Sequence, residues 1–292
     1  MIPREIIKKI KRIHIKSSRS VNSIMAGQYR SVFKGSGIEF EEVREYSPGD
    51  DIKSIDWKVS ARLGRPFIKL YREERESVVM LLIDMSASQG FGTFSGLKLE
   101  KAAEVASVLA FSAIKNNDKV GVIFFTDRVE KYIPPQKGTG HIWRLIKEIF
   151  TFVPEGKGTC LASALDYLAK VARKRTTTFI LSDFLDSGFQ KNLRTALQRH
   201  ELISVLLYDE GEFHLPEQGI VSLSCFETGK ELLLDASDKP TRRYYEDRKR
   251  AQHGAIIEIL KKNGIDLIEM ETGASVSDSL QRYFRNRERR KL

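Results

Sequence analysis

Apolar runs and helical stripes alternate along most of this chain. Val78 to Ile83 is an unbroken apolar run that stops abruptly at Asp84, Ser86 and Ser88. Residues 119–125 (KVGVIFF), 177–182 (TTFILS) and 202–208 (LISVLLY) repeat the pattern, and 265–271 (IDLIEME) predicts a last strand able to join them. Short runs rich in Val, Ile and Leu are strands buried on both faces. Apolar residues recur at helical spacing over 97–115, 140–151, 161–174, 188–199, 240–262 and 275–288. Residues 128–134, reached through Thr126 and Asp127, predict a hairpin-like edge strand. This alternation predicts an α/β fold: a mostly parallel sheet with helices on both faces.

Three stretches depart from the alternation. Residues 3–16 predict a basic amphipathic helix with Ile2, Ile6, Ile10 and Ile13 on one stripe, which docks on the protein's own core more readily than on a membrane. Residues 29–75 carry short alternating runs around Ser47-Pro48-Gly49-Asp50, a turn signal that predicts a small β-rich element. Residues 220–235 predict a hairpin turning at Thr228-Gly229, inside an insertion over 209–264. The expected organisation is an N-terminal helix and β-rich segment over 1–76, the α/β domain over 77–272, and a C-terminal helix with a basic tail over 273–292.

The candidate chemistry lies where the strands stop. Asp84, Ser86 and Ser88 alternate by two after the first run, so an extended turn can aim three oxygens at one point. Thr159 lies in the loop GKGTC just before a helix, and Asp183 ends the run TTTFILSDF. The C-terminal edge of an open α/β sheet is where ligands bind. Hard oxygen donors with few charges suit Mg²⁺ or Mn²⁺ rather than zinc. The ordered set Asp84, Ser86, Ser88, Thr159 and Asp183 closely resembles the metal-ion-dependent adhesion site of von Willebrand factor A domains. That resemblance implies a von Willebrand A-like, Rossmann-like domain. It also implies hydroxyls that touch the metal, acids that act largely through waters, and an open position for a partner's carboxylate.

A second resemblance covers residues 25–285. Gly35, Gly37, Glu39 and Phe40 lead to the Pro48-Gly49-Asp50-Asp51 turn, then to Ile55-Asp56-Trp57 and Ala61-Arg62. This order resembles the signature of the bacterial family called domain of unknown function 58. One departure is Gln89, where that family often has Met. The resemblance implies a non-enzymatic adaptor or chaperone-like partner of a MoxR-type AAA+ ATPase. On the residues themselves, the signature acids are open to three readings: a salt-bridged hairpin scaffold pinned by Trp57, a second binding site, or an acid that approaches the metal site of a neighbouring chain.

Composition narrows the alternatives. The 292 residues are 41% hydrophobic and 9% aromatic, enough for a packed core. No apolar window spans a membrane and the first residues lack a signal-peptide core, so a soluble, cytoplasmic chain is expected. The two cysteines, Cys160 and Cys225, have no metal or redox spacing. The net charge of +10 is concentrated at the two ends. Nucleic-acid or membrane-surface binding through those ends is an alternative, although no recognition motif accompanies them. A phosphotransfer pair is missing, because Ser86 stands where a second Asp would be needed. There is no P-loop or Gly-x-Ser-x-Gly elbow, and Ser204 interrupts a zinc-protease pattern begun by His200-Glu201. Metal-dependent hydrolysis survives as the other alternative. It requires a further acid or His within reach of the metal water.

Overall fold

The computed structural model describes residues 29, 37–74, 77–93, 96–227 and 229–291. The helix expected over 3–16 lies outside them, as do Gly35 and Thr228. Contacts divide the chain into two units, residues 33–77 and the rest.

In the smaller unit, β1 (Gly37–Glu45) pairs antiparallel with β2 (Phe67–Glu74), with a bulge between Phe40 and Glu42. The Pro-Gly-Asp turn forms as the sequence predicts: the Asp50 amide donates to Ser47 O at 3.1 Å, and Gly49 has φ 112°. Such a φ favours glycine. Beside the expected strands, a 3₁₀ turn (Ile52–Ser54) and helix α1 (Trp57–Leu63), which the sequence pattern did not reveal, stand between them. The signature acids nucleate both. Asp51 accepts from Lys53 N at 3.0 Å. Asp56 accepts from Lys58 N at 3.0 Å and Val59 N at 3.2 Å, and lies 3.3 Å from the Lys69 ammonium. Carboxylates at helix N-caps satisfy otherwise orphaned amides. Asp50 pairs with Arg44 at 2.6 Å. Trp57 is 69% exposed at the first position of α1, so it does not pin a hairpin core.

The larger unit holds the predicted sheet. Its strands are β3 (Val78–Asp84), β6 (Lys119–Phe125), β7 (Val129–Gln136), β8 (Thr177–Ser182), β9 (Glu201–Tyr208) and β12 (Asp266–Glu271), in the order β12-β9-β8-β3-β6-β7. All neighbours are parallel except β7, the antiparallel edge. The two-residue strands β4 (Gly92–Thr93) and β5 (Gly96–Leu97) form a tight hairpin that the sequence pattern did not reveal. The inserted hairpin is β10 (Ile220–Ser224) with β11 (Glu231–Asp235).

The helices are α2 (Lys98–Lys115), α3 (Thr139–Thr151), α4 (Leu161–Val171), α5 (Gln190–Leu197), α6 (Lys239–Lys262) and α7 (Val276–Lys291). Helices α4, α5 and α6 bury Leu165, Leu193 and Leu260 against Met80, Leu82, Ile123 and Ile180 on one face. Helix α2 packs with α3 and α7 on the other face. Tyr29 is fully buried, with its ring edge-on to Phe284 of α7 at 6.0 Å. Helix α5 starts two residues later than expected, behind Gly188 at φ 85°. Among the described residues, no helix is long and apolar enough to cross a membrane.

Candidate metal centre

Strand β3 continues through α2 to β6 on one side, whereas β8 continues through α5 to β9 on the other. The chain therefore reverses its winding direction between β3 and β8. A crevice opens at the carboxyl ends of the strands at such a point. Asp84 ends β3 and Asp183 directly follows β8, so the topology brings two residues 99 positions apart into one crevice.

Both carboxylates are held by hydrogen bonds. The Ser86 amide donates to Asp84 Oδ1 at 2.9 Å, and Ser182 Oγ donates to Asp84 Oδ2 at 2.5 Å. Ser86 Oγ lies 3.0 Å from Ser88 Oγ, which donates to Asp183 Oδ2 at 2.7 Å. Asp84, Ser86, Ser88 and Asp183 thus form one connected cluster, and all are buried. The 3₁₀ turn Ala87–Gly90 carries the second serine. After Asp183, Phe184 takes a left-handed backbone with φ 55°. A bulky residue rarely adopts that conformation, and such outliers gather at functional sites.

Thr159 arrives differently. Its loop docks on the serine turn through Ala87 N to Lys157 O at 2.9 Å, and on the end of β6 through Cys160 N to Thr126 O at 2.8 Å. Gly156 donates to Glu130 Oε1 at 2.8 Å. The Thr159 hydroxyl is given to Glu227 Oε1, at 2.8 Å, and not to the other four candidates. Glu227 belongs to the inserted hairpin. At the start of α4, the Leu161 amide donates to Asp186 at 2.8 Å.

A lysine completes the cluster. Lys98, the first residue of α2, is fully buried, and its ammonium reaches Asp183 Oδ2 at 2.7 Å and Glu212 Oε1 at 2.6 Å. Burial pulls the Lys98 pKa down, but the two carboxylates, Asp183 foremost, outweigh it and leave the value raised. Asp84 has no such partner. Burial, reinforced by the charge of Asp183, pushes its pKa up to about 7 against the hydrogen bonds from Ser182 and Ser86. Burial also raises Glu227, opposed by its bond from Thr159, with Asp183 and Asp186 adding to the rise.

These features fit a hard divalent cation. Lys98 pairs with Asp183 and Glu212 but not with Asp84, so negative charge is left uncompensated, and the surrounding donors are serine and threonine hydroxyls. Both amide atoms of Gln89, in the serine turn, are buried without a partner among the described residues, as expected of a place that holds water. Among the described residues, no three His, Cys, Asp or Glu side chains are grouped to share a metal. A cation here would therefore draw on hydroxyl oxygen, as Mg²⁺ does.

Sequence reasoning missed Lys98, Ser182, Glu212 and Glu227. Lys98 did leave a signal. A cation in the first turn of a helix opposes the macrodipole, so a lysine placed there needs acids nearby. Glu227 left none, since only the tertiary fold brings the insertion to Thr159.

The fold and this crevice define an α/β domain with a polar cluster at its switch point. The chain belongs to the family described as protein of unknown function DUF58, which matches residues 42–255. The uncharacterized protein Rv1480 of Mycobacterium tuberculosis is 28% identical over 284 residues, covering 96% of this chain and 89% of the relative. The uncharacterized protein YeaD of Bacillus subtilis is 27% identical over 107 residues, covering 37% of this chain and 25% of YeaD. Among solved structures, the chain is similar to the conserved hypothetical protein BatB from Bacteroides thetaiotaomicron, with 14% identity and TM-score 0.46 over 73% of this chain and 99% of that one. It is also similar to the SpRpn10 VWA domain, with 13% identity and TM-score 0.41 over 71% of this chain and 95% of that one.

Proposed function

We propose that the chain is a non-enzymatic, Mg²⁺-dependent protein-interaction module that engages an acidic residue of a partner. The observation that carries this reading is the Asp84-Ser86-Ser88-Asp183 cluster, with Asp84 buried and given no cation by the described residues. Asp84, Ser86, Ser88, Thr159 and Asp183 are the residues that would hold the ion. A bound Mg²⁺ would offer an electrophilic coordination position to a partner's carboxylate. Neutral hydroxyl donors support this role, because they leave more of the ion's charge for the partner than carboxylate ligands would. Lys98 keeps Asp183 oriented, and the turn closed by the Ser86 amide keeps Asp84 oriented. The resemblance to the family motif makes a MoxR-type AAA+ ATPase the proposed partner.

The test is binding of such an ATPase to the wild-type chain in Mg²⁺, to the wild type in EDTA, and to Thr159→Ala in Mg²⁺. Binding in the first condition alone is expected. Equal affinity in all three removes the metal from the interaction.

Metal-dependent hydrolysis is favoured by one observation: Glu227 is a further acid beside Thr159, the kind of group a general base requires. Turnover of a phosphoester or peptide by the isolated chain, abolished by Asp84→Ala, would replace the adaptor reading.

A further inference from the structure

Glu227 is joined to the site by a hairpin whose strands lie at the surface. Strands β10 and β11 contain no buried residue, and Ile220, Leu232 and Leu233 are 75%, 57% and 69% exposed. Contacts from the tip of the hairpin reach the candidate site. Glu227 Oε1 accepts from Thr159 Oγ1 at 2.8 Å, and the Phe226 ring stands edge-on to Phe91 at 6.2 Å. Both contacts lie on the candidate metal centre. Phe91 leaves the serine turn, its amide donating to Ser88 O at 3.1 Å. The second Glu227 oxygen is directed at the same loop, 3.9 Å from where a Cβ on Gly158 would stand.

This placement has a chemical consequence. Thr159 is the one candidate ligand whose hydroxyl is given to an acid outside the cluster. A carboxylate that accepts from a metal-binding hydroxyl is a neighbour of the ion that the hydroxyl would hold. It is also the functional group the site is built to receive from a partner. We propose that Glu227 is the chain's own carboxylate ligand, carried on a hairpin arm that closes over the centre when Mg²⁺ binds and that a partner's acid must displace. The inference rests on the metal-dependent reading above. The arm is suited to the task because its two strands bury no residue, and elements with little buried surface open at low free-energy cost.

Two measurements on the full chain test it: Mg²⁺ binding by calorimetry and hydrogen exchange of the hairpin amides over 220–235, each for wild type, Glu227→Gln and Asp84→Ala. In wild type, Mg²⁺ should slow exchange at the hairpin tip about fivefold relative to EDTA. In Glu227→Gln that slowing should vanish while Mg²⁺ still binds, about tenfold more weakly. Asp84→Ala should lose both. Wild type that binds no Mg²⁺ overturns the metal reading and the arm together. Wild type that binds Mg²⁺ with an affinity and a hairpin exchange that Glu227→Gln leaves unchanged overturns the arm alone. Catalytic turnover lost in Glu227→Gln also overturns it, by making Glu227 a general base.

Discussion

Asp84→Asn separates the cost of the buried carboxylate from its use. The Asp84 pKa rises from 3.8 to about 7 because burial and Asp183 both disfavour the charge. A rise of roughly three units corresponds to about 4 kcal/mol. For an acid whose pKa is raised by folding, the ionised form is the destabilised one. The cost is therefore absent below the unfolded value of 3.8, grows between 3.8 and about 7, and is complete above 7. Asparagine removes the charge and keeps an oxygen for the Ser86 amide, but its NH₂ changes the bond with Ser182, which returns about 1 kcal/mol. In EDTA at pH 8, Asp84→Asn should thus be more stable than wild type by about 3 kcal/mol. At pH 4 the gain should be gone, leaving the variant slightly less stable than wild type through the altered Ser182 bond. Mg²⁺ should narrow the gap at pH 8, since a ligand at a hundredfold excess over its Kd adds about 2.7 kcal/mol to wild type and nothing to a variant that cannot bind it. Urea unfolding followed by far-UV circular dichroism, at both pH values and with or without Mg²⁺, measures all of this. A variant less stable than wild type at pH 8 in EDTA would refute the reasoning and make Asp84 a structural hub.

Lys98→Met should destabilise the domain by about 3 kcal/mol, because it leaves Asp183 and Glu212 without their shared ammonium; an unchanged urea midpoint would contradict that. Gly156→Ala should cost about 2 kcal/mol and weaken Mg²⁺ binding, since a Cβ there would lie 2.2 Å from both Thr126 Oγ1 and Asp127 Oδ1 and push away the loop that carries Thr159. Calorimetry beside thermal melting checks both effects. If the signature acids are architectural, Asp56→Asn should keep the cap of α1 and leave partner binding intact, whereas Asp56→Ala should lower the melting temperature. Loss of partner binding in Asp56→Asn without loss of stability would point to a binding role instead.

The central strands β3 and β6 were legible because they are buried on both faces, so Val79 to Ile83 and Val120 to Phe125 admit no polar residue to blur the run. Asp84 and Asp183 were legible for the same reason, as carboxylates that interrupt such runs. The smaller unit was read less well. Its helix α1 is only seven residues long, too short for an apolar period to stand out, and its start is set by the Asp56 cap. Trp57 misled because a large aromatic usually marks a core, whereas this one is exposed. The short strands β4 and β5 are two residues each, below any pattern. The charge balance of the centre could not be read locally, since Lys98, Glu212 and Glu227 come from a helix start, a 3₁₀ turn and an insertion.

Helix α2 gives the crevice a mechanical reach. It begins at Lys98 and runs 18 residues, about 27 Å at the usual rise of 1.5 Å per residue. Its buried surface interleaves Ala102, Ala103, Ala106, Ala110 and Ala113 with Val105, Val108 and Leu109, so the rod is keyed into its neighbours along its length. Lys101 hands its ammonium to Ala274 O at 2.8 Å, just ahead of α7, and the far end closes through the Asp118 amide on Ala113 O at 2.9 Å. An axial displacement at Lys98 would have to carry the whole helix, and with it the Asn117 turn on the opposite rim of the sheet. A spectroscopic label at Asn117 would register events at Asp183 from a distance well beyond electrostatic screening in physiological salt.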